Sequence, residues 1–112
     1  MDMVTFQLTI NDPDQRDEIV SLLAEINKIE KSGRDGCIIH DWYANVWEPN
    51  TIRMYTEYES HEALLASEQN PAFQALAGKL FEYQQSGALT MDLDNLRRYE
   101  LNTELAPMVG MQ

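Results

Sequence analysis

From Met3 to Ile10 the apolar residues Val4, Phe6, Leu8 and Ile10 alternate with Thr5, Gln7 and Thr9, the period of two that gives a strand one apolar and one polar side. Asn11-Asp12-Pro13 follows, with Gln15 three residues beyond Asp12. It reads as a helix start, Asp12 the cap and Pro13 the first helical position. Ile19, Leu22, Leu23, Ile26 and Ile29 then recur at intervals of three and four, one apolar stripe on a long helix. Glu18, Glu25, Lys28 and Glu30 fall between them and are assigned to its wet side. Ser32-Gly33 supplies the stop, and Arg34-Asp35-Gly36 a turn.

The segments Cys37 to Trp47 and Thr51 to Tyr58 are rich in Ile, Trp, Tyr and Val and flank Glu48-Pro49-Asn50, which predicts a β-hairpin. Pairing centred on Pro49 puts His40, Trp42, Ala44 and Val46 on one face with Ile52, Met54, Thr56 and Tyr58. A one-residue slip would exchange the faces. Ser60 caps a second helix through Ala63, Leu64 and Leu65, and Asn70-Pro71 breaks and restarts it. Phe73, Leu76, Ala77 and Leu80 form its inner stripe, and Ser86-Gly87 ends it. Residues 88–94 read as a loop, Leu96 to Leu101 as a final strand, and 103–112 as a tail carrying Pro107, Met108, Gly110 and Met111.

The resulting order, β-α-β-β-α-β, specifies an α+β, ferredoxin-like domain with an antiparallel sheet and two helices on one face. One domain is expected over residues 1–112, with its core in about 3–102. The uncovered sheet face carries Ile39, Tyr43, Trp47 and Tyr55. A large apolar face needs cover, and a second copy across a two-fold axis is the simplest one, so a homodimer is expected.

Composition narrows the functions. A length of 112 residues with 44% hydrophobic and 24% charged residues suits one folded domain. Nineteen acidic against eight basic residues give a formal net charge of −11, which repels phosphate backbones and anionic lipids, so neither nucleic acid nor membrane is an expected partner. Cys37 is the single cysteine, which agrees with a reducing compartment. No apolar run reaches the roughly 20 residues of a membrane span, and the first residues lack a basic leader. A cytoplasmic location is expected. Two histidines 21 positions apart without an acid cluster at ligand spacing predict no metal site.

Gly36-Cys37, the hairpin, Tyr58-Glu59-Ser60-His61-Glu62-Ala63-Leu64 and Asn70-Pro71-Ala72-Phe73 together resemble the antibiotic biosynthesis monooxygenase family. The resemblance runs from Val4 to Leu101. It implies a dimeric α/β barrel with a pocket between sheet and broken helix, on the face bearing Tyr58, and oxidation of phenols or quinols by molecular oxygen without metal or flavin. That chemistry needs an apolar cavity, a proton acceptor and groups that hold an oxyanion. His40 is the candidate base and Tyr58 a second candidate catalytic residue. Trp42, Met54, Thr56, Ser67 and Phe73 are candidate substrate contacts, with Thr56, Ser67 and Tyr58 able to donate hydrogen bonds.

The departures from the family pattern bear on activity. Many members have a histidine early in the second helix and another after the break, where this chain has Ser67 and Ala72, and an acid where it has Thr56. The haem-degrading branch uses an asparagine, a tryptophan and a histidine at the positions of Phe6, Ser67 and Ala77, and alanine cannot ligate iron. Members with an asparagine and a tryptophan on the third strand meet Met54 and Tyr58 here. The leading reading is therefore a cofactor-independent monooxygenase acting on a small aromatic or quinol-like metabolite. Two alternatives stay open: a non-catalytic dimeric ligand-binding or accessory protein, and a cofactor-free isomerase or cyclase. Each candidate also has a plainer role, His40 as a hydrogen-bonded core histidine, Trp42 and Tyr58 as cross-strand packing, and Trp47 as an interface residue.

Overall fold

The computed structural model describes residues 1–31 and 36–101. The expected helix stop at Ser32-Gly33, the turn residues Arg34 and Asp35, and the tail 103–112 lie outside the described residues. The elements are β1 (Asp2–Ile10), a 3₁₀ turn (Pro13–Gln15), α1 (Arg16–Lys31), β2 (Cys37–Ala44), β3 (Thr51–Tyr58), α2 (His61–Glu68), α3 (Pro71–Gln85) and β4 (Leu89–Glu100). They form an antiparallel sheet in the order β2-β3-β1-β4, open rather than closed. This is the expected α+β ferredoxin-like arrangement.

The caps act as the sequence implies. Asp12 accepts the Asp14 N–H at 2.9 Å and the Gln15 side-chain amide at 2.8 Å. Ser60 accepts the Ala63 N–H, and Asn70 accepts those of Ala72 and Phe73, so α2 and α3 are separate helices as predicted. Gly87, with φ of +87°, closes α3 while the Ala88 N–H reaches back to the Tyr83 carbonyl at 3.0 Å. At Gly36 a positive φ coincides with close packing, since a Cβ there would stand 2.5 Å from that of Ala63. The glycine before β2 and the alanine of α2 are thus two sides of one contact.

The core lies between one sheet face and the helices. Ile19, Leu22, Leu23 and Ile26 of α1 and Leu76 and Leu80 of α3 pack on Leu8, Ile10, Ile52, Leu89 and Met91. Each such side chain contributes about 1.5–3 kcal/mol when buried. The opposite face presents Tyr43 and Tyr99, both exposed, and shallow clefts around Gln7, Arg53, Met3 and Tyr55.

Three expectations need correction. The last strand starts at Leu89 rather than Leu96 and ends at Glu100, with Leu89 and Met91 buried and Thr90 exposed. Its pairing with β1 jumps from Thr5↔Arg97 to Gln7↔Asp92, so residues 93–96 bulge opposite Phe6, and that irregularity disguises the strand. The hairpin pairs His40 with Thr56, Trp42 with Met54 and Ala44 with Ile52, a register centred on Glu48 rather than Pro49. Moving the centre by one residue shifts partners by two, so the predicted faces survive. Finally, β2 ends at Ala44 rather than Trp47, because Asn45 accepts the N–H groups of Trp47 and Glu48 and turns the chain. Val46 and Trp47 are left exposed, Trp47 at 87%.

Candidate functional site

Along α1, Ile26 is followed four residues later by Glu30, so the acid takes the next place on the buried stripe. Its residue exposure is 1%, which corrects its assignment to the wet side. Two hydroxyls from other elements meet its carboxylate: Tyr58, the last residue of β3, donates to Oε2 at 2.7 Å, and Ser67 of α2 donates to the same oxygen at 2.9 Å. The two hydroxyl oxygens are 2.8 Å apart. A strand and two helices are thereby tied together by one buried polar cluster, where each satisfied group avoids a desolvation cost of about 1–3 kcal/mol.

A second cluster lies beside it on the same sheet face. His40, 2% exposed, has Nδ1 at 2.8 Å from Oδ1 of Asn27. With that amide oxygen accepting, Nδ1 carries an imidazole hydrogen in this contact. The Trp42 ring stands edge-on to His40, with centroids 5.5 Å apart, and edge-on to Phe6 at 6.1 Å. Its indole N–H donates to the Leu23 carbonyl at 3.1 Å, fixing the ring against α1.

The predicted residues therefore separate into groups. Tyr58 and Ser67 touch each other, while His40 and Trp42 form a neighbouring aromatic pair. Thr56 and Met54 sit cross-strand from His40 and Trp42 and are buried. Phe73 lies in the first turn of α3, half-buried against the core. The three candidate donors are engaged inside the protein, since Thr56 donates to the Ile39 carbonyl at 2.9 Å while Tyr58 and Ser67 donate to Glu30.

Burial pushes the Tyr58 phenol well above its ordinary value; the hydrogen bond with Ser67 opposes this, and the hydrogen bond and charge of Glu30 add to it. A further polar cluster stands at the start of β1. Asp2 is buried and accepts from Arg98 at 2.9 Å and from His61 at 3.1 Å. Burial works against its charge, yet the hydrogen bonds from Arg98 and His61, with their positive charges, hold the carboxyl below the ordinary 3.8.

Sequence reasoning missed Glu30, Asn27 and Asp2. The i+4 spacing from Ile26 to Glu30 was the available signal, as was the two-residue step from Asp2 to Val4 on the inner side of β1. Among the described residues, no three His, Cys, Asp or Glu side chains form a metal-ligand set, and no described helix is long and apolar enough to cross a membrane.

A cleft of about 340 Å³ runs between α1 and β2. Val20, Leu23, Ala24 and Ile52 make its apolar walls, Trp42 and Asn27 also line it, and Arg16 and Asp41 add charge. Through Asn27 this cleft adjoins His40.

The family model of antibiotic biosynthesis monooxygenases matches residues 1–79, well over half of the chain. The chain belongs to the antibiotic biosynthesis monooxygenase family. No curated protein matches it. Among solved structures it is similar to a Deinococcus radiodurans protein assigned as an antibiotic biosynthesis monooxygenase, at a TM-score of 0.76 and 14% identity, covering 91% of this chain and 93% of that one. SnoaB, a cofactor-independent oxygenase from Streptomyces nogalater, gives a TM-score of 0.72 at 14% identity over 91% and 93% of the two chains. Rv0793 from Mycobacterium tuberculosis gives 0.65 at 19% identity over 91% and 94%. At these identities the likeness shows the fold alone.

The antibiotic biosynthesis monooxygenase family pattern now has a physical reading in this chain. The serine standing where many members have a histidine is not a neutral replacement, because Ser67 is the hydroxyl that meets Glu30 from α2. Ala72, at the second histidine position, is exposed. The buried acid and imidazole in this part of the interior are Glu30 and His40.

Proposed function

We propose that this protein is a cofactor-independent monooxygenase that oxidises a small phenolic or quinol-like aromatic with molecular oxygen, acting as a homodimer. Membership of the antibiotic biosynthesis monooxygenase family supports the reaction class. The observation that carries the site is His40, buried with Nδ1 on Asn27 and edge-on to Trp42, two residues that line the α1–β2 cleft.

In this reading the substrate ring lies along Trp42, Met54 and Phe73, and His40 takes the phenolic proton. The phenolate gives one electron to dioxygen, and the resulting radicals combine at a ring carbon to form a peroxide. Loss of water then leaves a quinone. One oxygen atom enters the product and the other leaves as water, so the substrate supplies all four electrons and no external reductant is needed. Tyr58, Thr56 and Ser67, engaged inside the protein, tie together the elements around His40. Two copies pair through the sheet faces bearing Tyr43 and Tyr55.

The test is oxygen uptake by metal-stripped protein with a panel of phenols and quinols, corrected for autoxidation, in the wild type and in His40→Ala. The proposal requires uptake in the former and its collapse, with the fold retained, in the latter. A second reading, a ligand-binding or accessory protein, is favoured by the engagement of Tyr58, Ser67 and Thr56 inside the protein. It predicts ligand-dependent thermal stabilisation with no product.

A further inference from the structure

We propose that α2 is a lid, shut in this structure, which lifts as a unit while the rest of the fold stays in place and so opens the interior around Tyr58 and Ser67. The inference rests on the phenol-oxidising reading only for the identity of what enters.

Three observations carry it. First, α2 has little apolar anchorage. Its eight residues bury only Leu64 and Ser67, and Leu65 is exposed. The core cluster takes side chains from α1 and α3 and, among the described residues, none from α2. A short helix with so little buried apolar surface belongs to the low end of local stability. Its ends are also breakpoints, since Ser60 before it and Asn70 after it both have extended backbone.

Second, a polar latch holds each end, and each latch is made to a carboxylate that has another donor. At the first residue of α2, His61 Nδ1 meets Asp2 Oδ2 at 3.1 Å. Near the last, Ser67 donates to Glu30 at 2.9 Å. Asp2 also accepts from Arg98 of β4 at 2.9 Å, and Glu30 from Tyr58 of β3 at 2.7 Å. When α2 lifts, neither buried carboxylate is orphaned, so the opening avoids the large penalty of an unpaired buried charge.

Third, the interior needs an opening. His40 and Met54 are buried, so a ligand that reaches them displaces some element. Of the helices on that sheet face, α1 and α3 are anchored in the core and α2 is not.

The test is amide hydrogen exchange on the full chain. In the wild type, residues 64–68 are expected to exchange about a hundredfold faster than Leu22 and Leu23 of α1 and Leu76 of α3. Ile19→Val trims the core cluster, to which α2 contributes nothing. It should speed exchange at Leu22 and Leu23 about fivefold and leave residues 64–68 unchanged. His61→Ala, which leaves Asp2 its bond from Arg98, should speed residues 64–68 about tenfold. Protection of α2 equal to that of α1 and α3, or an α2 rate that rises with Ile19→Val as much as that of α1, overturns the lid, because α2 then opens only with the whole fold. An α2 rate unmoved by His61→Ala overturns the latch and the proposal with it.

Hydroxybiphenyl, a neutral phenol, is the probe of entry. Its association should be about tenfold faster in His61→Ala, in proportion to the open fraction. Equal association rates in the two proteins, or no binding to either, overturn the role of the lid in entry. Oxygen uptake in the same samples separates the two claims. A lid that passes these tests without uptake stands, and the oxygenase falls; uptake by a protein whose α2 opens only with the whole fold retains the oxygenase and rejects the lid.

Discussion

Tyr58 donates its phenolic hydrogen to Glu30 across 2.7 Å, joining the end of β3 to the last turn of α1 in the interior. Because the acceptor is a carboxylate and both residues are buried, Tyr58→Phe is expected to cost about 1.5–3 kcal/mol in denaturant unfolding. Ser67→Ala is expected to cost less, and the pair less than the sum, since both hydroxyls serve one oxygen. A Tyr58→Phe protein within about 0.5 kcal/mol of the wild type would contradict the geometry.

Alkaline pH acts on the same contact. The native phenol keeps its proton at pH values where the unfolded phenol, with its ordinary value of 10, has lost it. Between those limits the native state binds more protons, so stability is complete below about pH 10 and is lost as pH rises further, with a limiting slope of about 1.4 kcal/mol per pH unit. The difference in unfolding free energy between pH 9 and pH 11 should be smaller in Tyr58→Phe; an unchanged difference would show that Tyr58 is not the group responsible.

At the acid end the sign reverses. Asp2 titrates lower in the folded chain than in the unfolded one, so its contribution is present above the ordinary carboxyl range and disappears as pH falls through the folded value. Arg98→Ala should remove about 1.5 kcal/mol at neutral pH, the low end for a charged hydrogen bond because the guanidinium is more than a third exposed and screened. It should also move the acid-unfolding midpoint upward. An unmoved midpoint would argue that His61 alone holds the Asp2 carboxylate.

The homodimer is tested through Tyr43, which stands exposed on the sheet face opposite the core. Tyr43→Glu should weaken self-association at least about tenfold in sedimentation, a cost of about 1.4 kcal/mol, with an unchanged circular dichroism spectrum. A monomeric wild type would remove the dimer from the account.

Much of this fold was legible in the sequence because caps and periods agreed. Asp12, Ser60, Asn70 and Gly87 mark element ends by local chemistry, and the alternation around His40 and Trp42 fixed their face even though the centre of the hairpin was placed one residue late. The last strand was less legible. Leu89, Met91 and Leu93 alternate with Thr90, Asp92 and Asp94, but acids discourage a strand reading, and the bulge opposite Phe6 interrupts the period.

The candidate site was legible from β2, β3 and α2 but not from α1. His40, Thr56, Tyr58 and Ser67 are polar residues set among apolar ones, which draws attention to them. Glu30 and Asn27 sit on a helix where polar residues are ordinary, and only the spacing from Ile26 placed Glu30 inward. Charge suggested solvent, whereas partners on β3 and α2, distant in sequence, make its burial affordable.

The central claim is that the substrate is oxygenated by dioxygen itself, and isotopically heavy dioxygen tests it most directly. Metal-stripped protein incubated with a phenol that supports oxygen uptake should yield a quinone carrying one heavy oxygen atom, with the second in water and no added reductant. A quinone formed at the same rate with no heavy oxygen, or an isomerised product formed equally well under anaerobic conditions, would contradict it.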